Sequence, residues 1–303
     1  MELREKAIGF GRARLVLENG VQMMLIVSMC AVCYNKGADK FEVEGEYRML
    51  KKLNKVQYSK LIDIASTHDC GCVYPLSIAE GIQEGEIYTG SEGNYNKILF
   101  WVQSGFAYLS GNIDEDFLND IYDFMINRSK TDDKRFLLMS KDKYILDFFK
   151  TKDDISMEER YLFKYARKNN VLELPTEYEL KEIDRDLLAK IFGTIVPSLF
   201  WKDNNDFLKN GKGYCISCGD DIASWAFSAA VSTKEIDIGI ETNPKYKKKG
   251  LGMIVANRMI NYALEQGKNP VWACHYKNVA SEKMAEKLGF LKTDECTIIK
   301  VTN

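Results

Sequence analysis

The 303-residue sequence lacks an excess of either charge: 42 lysines and arginines stand against 44 aspartates and glutamates, a formal net charge of −2. Nothing in that balance favours a nucleic-acid partner, whose electrostatic footprint is a basic excess. Proline is scarce, at five residues, and the eight cysteines follow no repeating spacing. With no clear export signal, this points away from a secreted disulfide framework and towards reduced thiols in a cytoplasm. No apolar stretch is long enough to span a bilayer comfortably, so no membrane partner is expected. The nearest approach is 21–34, a mostly apolar run behind Arg4, Lys6, Arg12 and Arg14. It resembles the basic region and apolar core of a signal peptide, but Glu18 and Asn19 block its backward extension. A buried strand or helix, or a poorly ordered extension, is the expected form of this segment.

What is present is ordinary globular composition, 46% apolar and 28% charged, with length for about two domains. Residues 1–45 read as a separate extension of uncertain structure. Residues 46–170 read as an α/β or α+β domain without a chemical motif. Helical spacing runs over 47–66, a strand pair over 97–102 and 105–110, an amphipathic helix over 114–127, a strand over 134–139 and a helix over 156–168. The polar residues 167–170 mark the expected boundary. From 171 to 303 the elements alternate: a strand at 178–184, a helix at 185–195, strands at 213–218, 222–231 and 235–242, a helix at 250–266 and a strand at 270–276. A further helix closes at Gly289, a common left-handed stop, and a final strand pair ends at Val301.

The informative stretch is 242–253, which joins a strand to an amphipathic helix. Gly250 and Gly252 let the backbone turn sharply and approach a ligand. The free N–H groups of the first helical turn, with the helix dipole, form an anion site, and Lys247, Lys248 and Lys249 add positive charge there. A pyrophosphate is the natural guest. The Walker pattern is missing, and the third glycine of the dinucleotide fingerprint is replaced by Val255.

Residues 247–252, Lys-Lys-Lys-Gly-Leu-Gly, resemble the acetyl-CoA signature of the GNAT superfamily of N-acetyltransferases, Q/R-x-x-G-x-G/A. Asn278 and Ser281, followed by Glu286, Lys287, Leu288, Gly289 and Phe290, resemble the other half of that superfamily pattern. The similarity covers roughly 178–301. It extends more weakly back to about Tyr47, in the manner of two-domain bacterial members. The resemblance implies a GNAT fold, a mixed and mostly antiparallel sheet flanked by helices, with acetyl-CoA as acyl donor and an amine-bearing acceptor. It implies that the backbone at Ile240, Glu241 and Thr242 pairs with the pantetheine arm. Lys247, Lys248, Lys249, Gly250, Leu251, Gly252 and Met253 would hold the pyrophosphate. Asn278 and Ser281 would touch the pantetheine or the adenosine side, Asn278 also serving as a helix N-cap. Glu235 takes the place of the usual general base, on a strand face that also carries Asp237 and Glu241. Two departures stand out: Lys247 replaces the usual Arg or Gln, and Ala285 occupies the position of the common tyrosine acid. Tyr276 is then the candidate proton donor, with Ser281 or water as substitutes.

Other reactive residues are weighed and set aside. Cys215 and Cys218 share a strand at a spacing that faces them apart. A zinc site from His68, Cys70, Cys72, Cys30 and Cys33 is conceivable, but no metal is assigned. Cys274 and His275 are strand neighbours and no nucleophile–base pair. Trp201, Trp225 and Phe227 are candidates for an acceptor pocket or for core. The resulting expectation is an acetyl-CoA-dependent N-acetyltransferase acting by direct attack. The alternative is a non-catalytic acyl-CoA-binding regulatory module, kept open by Ala285.

Overall fold

The computed structural model describes residues 15–16, 22–23, 50–91, 94–131, 134–166 and 172–302. Two units are distinguished, Met1–Met49 and Leu50–Asn303. In the first, β1 (Leu15–Val16) and β2 (Gln22–Met23) pair antiparallel. The rest of the extension and of the apolar run at 21–34, with Cys30 and Cys33, lies outside the described residues, as does the expected boundary at 167–170.

The second unit opens with β3 (Lys51–Lys52), a 3-10 turn (Lys55–Leu61), α1 (Ile62–Ala65) and α2 (Val73–Ala79). It continues through β4 (Gly85–Ser91), β5 (Asn94–Val102), β6 (Phe106–Gly111), α3 (Glu115–Thr131), β7 (Leu137–Ser140), α4 (Lys143–Lys150) and β8 (Ile155–Tyr165). Then follow β9 (Glu179–Glu182), α5 (Arg185–Lys190), α6 (Pro197–Phe200), α7 (Asn204–Asn210), β10 (Gly213–Cys218), β11 (Asp221–Val231) and β12 (Glu235–Thr242). The chain ends with α8 (Leu251–Glu265), β13 (Asn269–His275), α9 (Val279–Leu288) and β14 (Phe290–Val301). One mixed, mostly antiparallel sheet of 12 strands carries them in the order β3-β4-β5-β6-β7-β14-β8-β13-β12-β11-β10-β9.

The sheet is covered on both faces, and β5 shows why. Its run Ile98, Leu99, Phe100, Trp101, Val102 is apolar without a break, as a strand buried on two sides must be. Ile98, Phe100 and Val102 join a core with Leu61, Val73 and Leu76. Leu99 and Trp101 join the opposite core, with Phe117 and Ile121 of α3 and Phe149 of α4.

The order β4-β5-β6-α3-β7-α4-β8 recurs as β10-β11-β12-α8-β13-α9-β14. In each half a helix crosses over between parallel neighbours, β6 with β7 and β12 with β13. The two halves exchange their last strands: β8 pairs with β13, and β14 pairs with β7. The exchange locks both halves into one sheet.

Several expected elements are corrected. The helix at 156–168 is the strand β8, held between β14 and β13. Alternate residues of this strand, Ser156, Glu158 and Arg160, line a cleft. The helix at 47–66 is β3, a 3-10 turn and the short α1. The helix from 185 stops at Lys190, and the final strand pair is the single strand β14, with a bulge between Lys292 and Asp294.

A buried glutamine ties the halves together. β11 bulges between Ser228 and Ala230 against β12. Gln83, after α2, donates from Nε2 to the carbonyl of Ala229 at 3.0 Å and accepts at Oε1 from the amide of Val231 at 3.0 Å. Gln83→Leu strips both partners, at a cost on the order of 1–3 kcal/mol for each orphaned group. Urea unfolding should show a lowered midpoint with an unchanged slope.

Candidate active site

The parallel pairing of β12 with β13 is short: Glu235, Ile236 and Asp237 meet Asn269, Pro270 and Val271, and the strands then part. Beyond the fork, β12 remains bonded to β11 as far as Thr242, and β13 to β8 as far as His275. The facing edges of 238–242 and 272–275 are therefore open, with backbone groups that need partners. A cleft of about 950 Å³ occupies the opening. Ile238, Gly239 and Ile240 line it from one strand, and Trp272, Ala273 and Cys274 from the other.

At the C-terminal end of β12 the chain enters a 3-10 turn (Pro244–Tyr246) and then α8. Lys248 has φ 64° and Gly250 φ 80°, both left-handed. Such residues fold successive amides towards one side, an anion-binding nest. The amides of Lys248, Lys249, Gly250, Leu251 and Gly252 have no acceptor among the described residues, and Gly250 supplies no capping side chain. The two glycines serve differently. A Cβ on Gly250 would meet nothing within 4 Å. One on Gly252 would lie 3.1 Å from Thr242 Oγ1 and 3.2 Å from Met284 Cε, so its absence seats α8 against β12 and α9. Lys249 reaches the Tyr178 hydroxyl at 3.1 Å, while Lys247 and Lys248 are exposed. The corresponding helix of the first half has the opposite character. Asp114 accepts from the amide of Phe117 at 3.0 Å, and Glu115 and Asp116 fill the first turn of α3. That end is already capped and negative, and it would repel a phosphate.

At the base of the fork, Asp237 is buried and accepts a 2.6 Å hydrogen bond from the hydroxyl of Tyr74, on α2. Burial raises the Asp237 carboxyl above the ordinary carboxylate range, while the Tyr74 bond and the charge of Arg160 oppose the shift. Burial likewise raises the Tyr74 phenol, so it stays a donor. Arg160 of β8 lies over the ring of Phe106 at 5.0 Å.

The family model for GNAT acetyltransferases matches residues 68–299. The chain belongs to the GNAT acetyltransferase family. Among its relatives is YdfB of Bacillus subtilis (strain 168), described as an uncharacterized N-acetyltransferase. The two are 28% identical over 260 residues that cover 82% of this chain and 98% of the relative. A GCN5-related N-acetyltransferase-like protein from Streptococcus suis 89/1591 superposes with a TM-score of 0.65 at 22% identity, covering 82% of this chain and all (100%) of that one. A tandem GNAT protein from the clavulanic acid biosynthesis pathway shares the fold with a TM-score of 0.54 at 10% identity, over 82% of this chain and 96% of its own. Both superpositions extend through the first half as well as the second.

In this GNAT acetyltransferase the three carboxylates of β12 part ways. Glu241 accepts from the amides of Thr194 and Ile195, at 2.8 and 2.7 Å, and so pins the segment before α6 over the strand. Glu235 lies at the closed end of the fork and accepts from the Cys72 thiol at 3.3 Å. It lines a second cavity, of about 440 Å³. Asp237 alone of the three lines the cleft, and it borders both spaces. Tyr276 donates its amide to the carbonyl of Glu159 at 3.1 Å and packs its ring on His275, centroids 4.7 Å apart; it is not among the residues of the cleft wall. Asn278 and Ser281 do line the cleft. Asn278 caps α9 by accepting from the Ser281 amide at 3.2 Å, and Ser281 Oγ accepts from the Trp272 indole at 3.0 Å. Ala285 is fully buried one turn further on. Cys274 also faces the cleft, its thiol raised by burial. Trp201, Trp225 and Phe227 belong to the core, the two indoles donating to the carbonyls of Ser228 and Ile195.

Composition and motif gave no sign of the first half's share: Tyr74, Phe106, Arg135, Glu158 and Arg160 all line the cleft. The second cavity holds His68, Asp69 and Cys70, whose ligand atoms lie within 4.8 Å of one another. His68 Nδ1 accepts from the Cys70 amide at 3.1 Å, and Nε2 faces the Leu109 carbonyl at 3.1 Å. Both ring nitrogens are engaged, and burial lowers the pKa of the ring against the opposing charge of Asp69. Among the described residues no helix is long and apolar enough to cross a membrane.

Proposed function

We propose that the chain transfers an acetyl group from acetyl-CoA to a primary amine by direct attack. The observation that carries this reading is the β12/β13 fork, open at its edges, with an uncapped left-handed nest at its mouth and a buried carboxylate at its base. The nest at Lys248, Lys249 and Gly250 suits a pyrophosphate, with Lys247, Leu251, Gly252 and Met253 around it. The open edge at Ile240, Glu241 and Thr242 suits the amides of a pantetheine arm, and Asn278 and Ser281 flank it. Acetyl-CoA supplies an activated thioester; the chain's residues orient it, receive one proton and deliver another. Asp237 takes the proton that the ammonium must lose, and Tyr74 orients that carboxylate. The amine nitrogen then bonds to the carbonyl carbon, and the carbon–sulfur bond breaks. The second proton, shed by the nitrogen as the amide forms, reaches the leaving thiolate through water at Ser281, one turn before Ala285 on the same face of α9.

Isothermal titration of the full chain with acetyl-CoA, followed by assay of free thiol with a panel of amines, tests the reading. Binding with thiol release above the spontaneous rate is expected. Binding with no release across the panel would favour the non-catalytic acyl-CoA module, and no binding would remove the donor assignment.

A further inference from the structure

Charged side chains around the cleft are mostly satisfied within the protein. Glu158 pairs with Lys300 at 2.8 Å and with His275 at 3.5 Å. Lys134 lies over the ring of Trp101 at 3.9 Å. Two guanidinium groups differ. Arg160, half-buried, has one long hydrogen bond, from Nη2 to the carbonyl of Ala273 at 3.4 Å, besides its contact with Phe106. Arg135, just before β7, donates from Nη2 to the carbonyl of Ser104 at 2.9 Å. Neither has a carboxylate within 4.0 Å among the described residues. Each guanidinium offers five N–H donors in a planar fork that matches a carboxylate. The pair is also mutually unfavourable: burial and then the charge of Arg160 push the Arg135 pKa down. Two like charges turned to one cleft are relieved by an anion bound between them. Both face the space that Asp237 and Tyr74 border.

We propose that the acceptor is a small molecule of amino-acid type, its carboxylate held by Arg135 and Arg160 while its amine meets Asp237. This deepens the acetyl-transfer reading and rests on it. The arrangement assigns opposite charges to the two ends of a zwitterion: guanidinium groups from the first half of the chain for the carboxylate, and a buried carboxylate from the second half for the ammonium. It also gives the first half, whose own helix end is capped by Asp114, a role in choosing the acceptor.

The test uses the full chain, with acetyl-CoA affinity measured first. Phenylalanine, leucine, methionine and lysine are each assayed beside their carboxamide and decarboxylated amine, with O-phosphoethanolamine as a phosphate-bearing amine. A site built to bind a polar group rejects analogues that lack it, so kcat/KM for the preferred amino acid should exceed that of its amide and amine by about 100-fold or more. R135Q and R160Q should each lower kcat/KM for that amino acid about 10- to 100-fold, on the scale of a lost charge-assisted bond, and leave acetyl-CoA affinity unaltered. Arg135 is the more exposed of the two, so R135Q carries the test even if R160Q fails to fold. Three results would overturn the proposal: turnover of the decarboxylated amines or phosphoethanolamine matching the amino acids, no turnover of any carboxylate-bearing amine while acetyl-CoA binds, or arginine variants equally slow on acceptors with and without the carboxylate. Failure of acetyl-CoA to bind would instead bring down the transfer reading and this one with it.

Discussion

Asp237→Asn should lower turnover about 10²- to 10⁴-fold, the usual contribution of a positioned general base. The variant keeps the shape of the side chain and an oxygen that can accept from Tyr74, so the fork is expected to remain intact. The pH–rate profile is the sharper readout. Burial raises the Asp237 carboxyl, with Tyr74, Arg160 and Glu235 as the polar groups acting on it. The acid limb of the wild-type profile should therefore lie above the ordinary carboxylate range, because only the ionised form accepts a proton. In the variant that limb should vanish. Stability should move the other way. With the folded-state pKa above the unfolded value, the unfolded chain ionises first as pH rises. The wild type thus loses stability across the window from the ordinary carboxylate value up to the raised one. Asparagine has no such loss, so Asp237→Asn should melt later than the wild type at neutral pH, and the gap should narrow in acid. Glu235→Gln is the companion variant, since its carboxylate lies at the closed end of the fork beside Cys72. If Glu235→Gln erased the acid limb and Asp237→Asn kept it, the base would be Glu235.

How much of this was legible beforehand depends on how local each signal is. The strand β12, the turn after it and the helices α8 and α9 could be read because alternation, Gly250, the Asn278 cap and the Gly289 stop lie within a few residues of what they control. The continuous apolar run of β5 was equally plain. β8 reads as a helix in the sequence because Ser156, Glu158 and Arg160, on alternate positions, line the cleft instead of packing in a core. A strand with one face given over to a site loses the apolar period by which strands are recognised. In the sequence, the resemblance points to Glu235 as base by its place early on the strand before the loop, with Asp237 and Glu241 on the same face. That face is divided by the fork and by α2: the hydroxyl that meets Asp237 comes from Tyr74, 163 residues earlier. The exchange of β8 and β14 between the halves, which carries Arg160 to the cleft, leaves no mark on any short window of sequence.

Gly250→Val should weaken acetyl-CoA binding at least about 100-fold, or roughly 2.8 kcal/mol at 1.4 kcal/mol per tenfold, while the protein stays folded. The expected stability cost is confined to the backbone. At φ 80° a β-branched residue is strained by about 1–3 kcal/mol, and a new Cβ meets no atom within 4 Å. That open space is where an anion would approach the free amides of 248–252. A valine there either fills the nest or, if the backbone relaxes to negative φ, turns the amides away; affinity falls by both routes. Gly252→Ala makes the contrast. Its Cβ would press on Thr242 Oγ1 at 3.1 Å and Met284 Cε at 3.2 Å, so its main effect should be a lowered melting temperature from an unseated α8. Calorimetry with thermal melts separates the two glycines: lost binding with modest destabilisation at 250, lost stability at 252. A folded Gly250→Val protein that binds acetyl-CoA as tightly as the wild type would show that the pyrophosphate lies elsewhere. The left-handed turn at Lys248 and Gly250 would then be only the way this chain starts a helix.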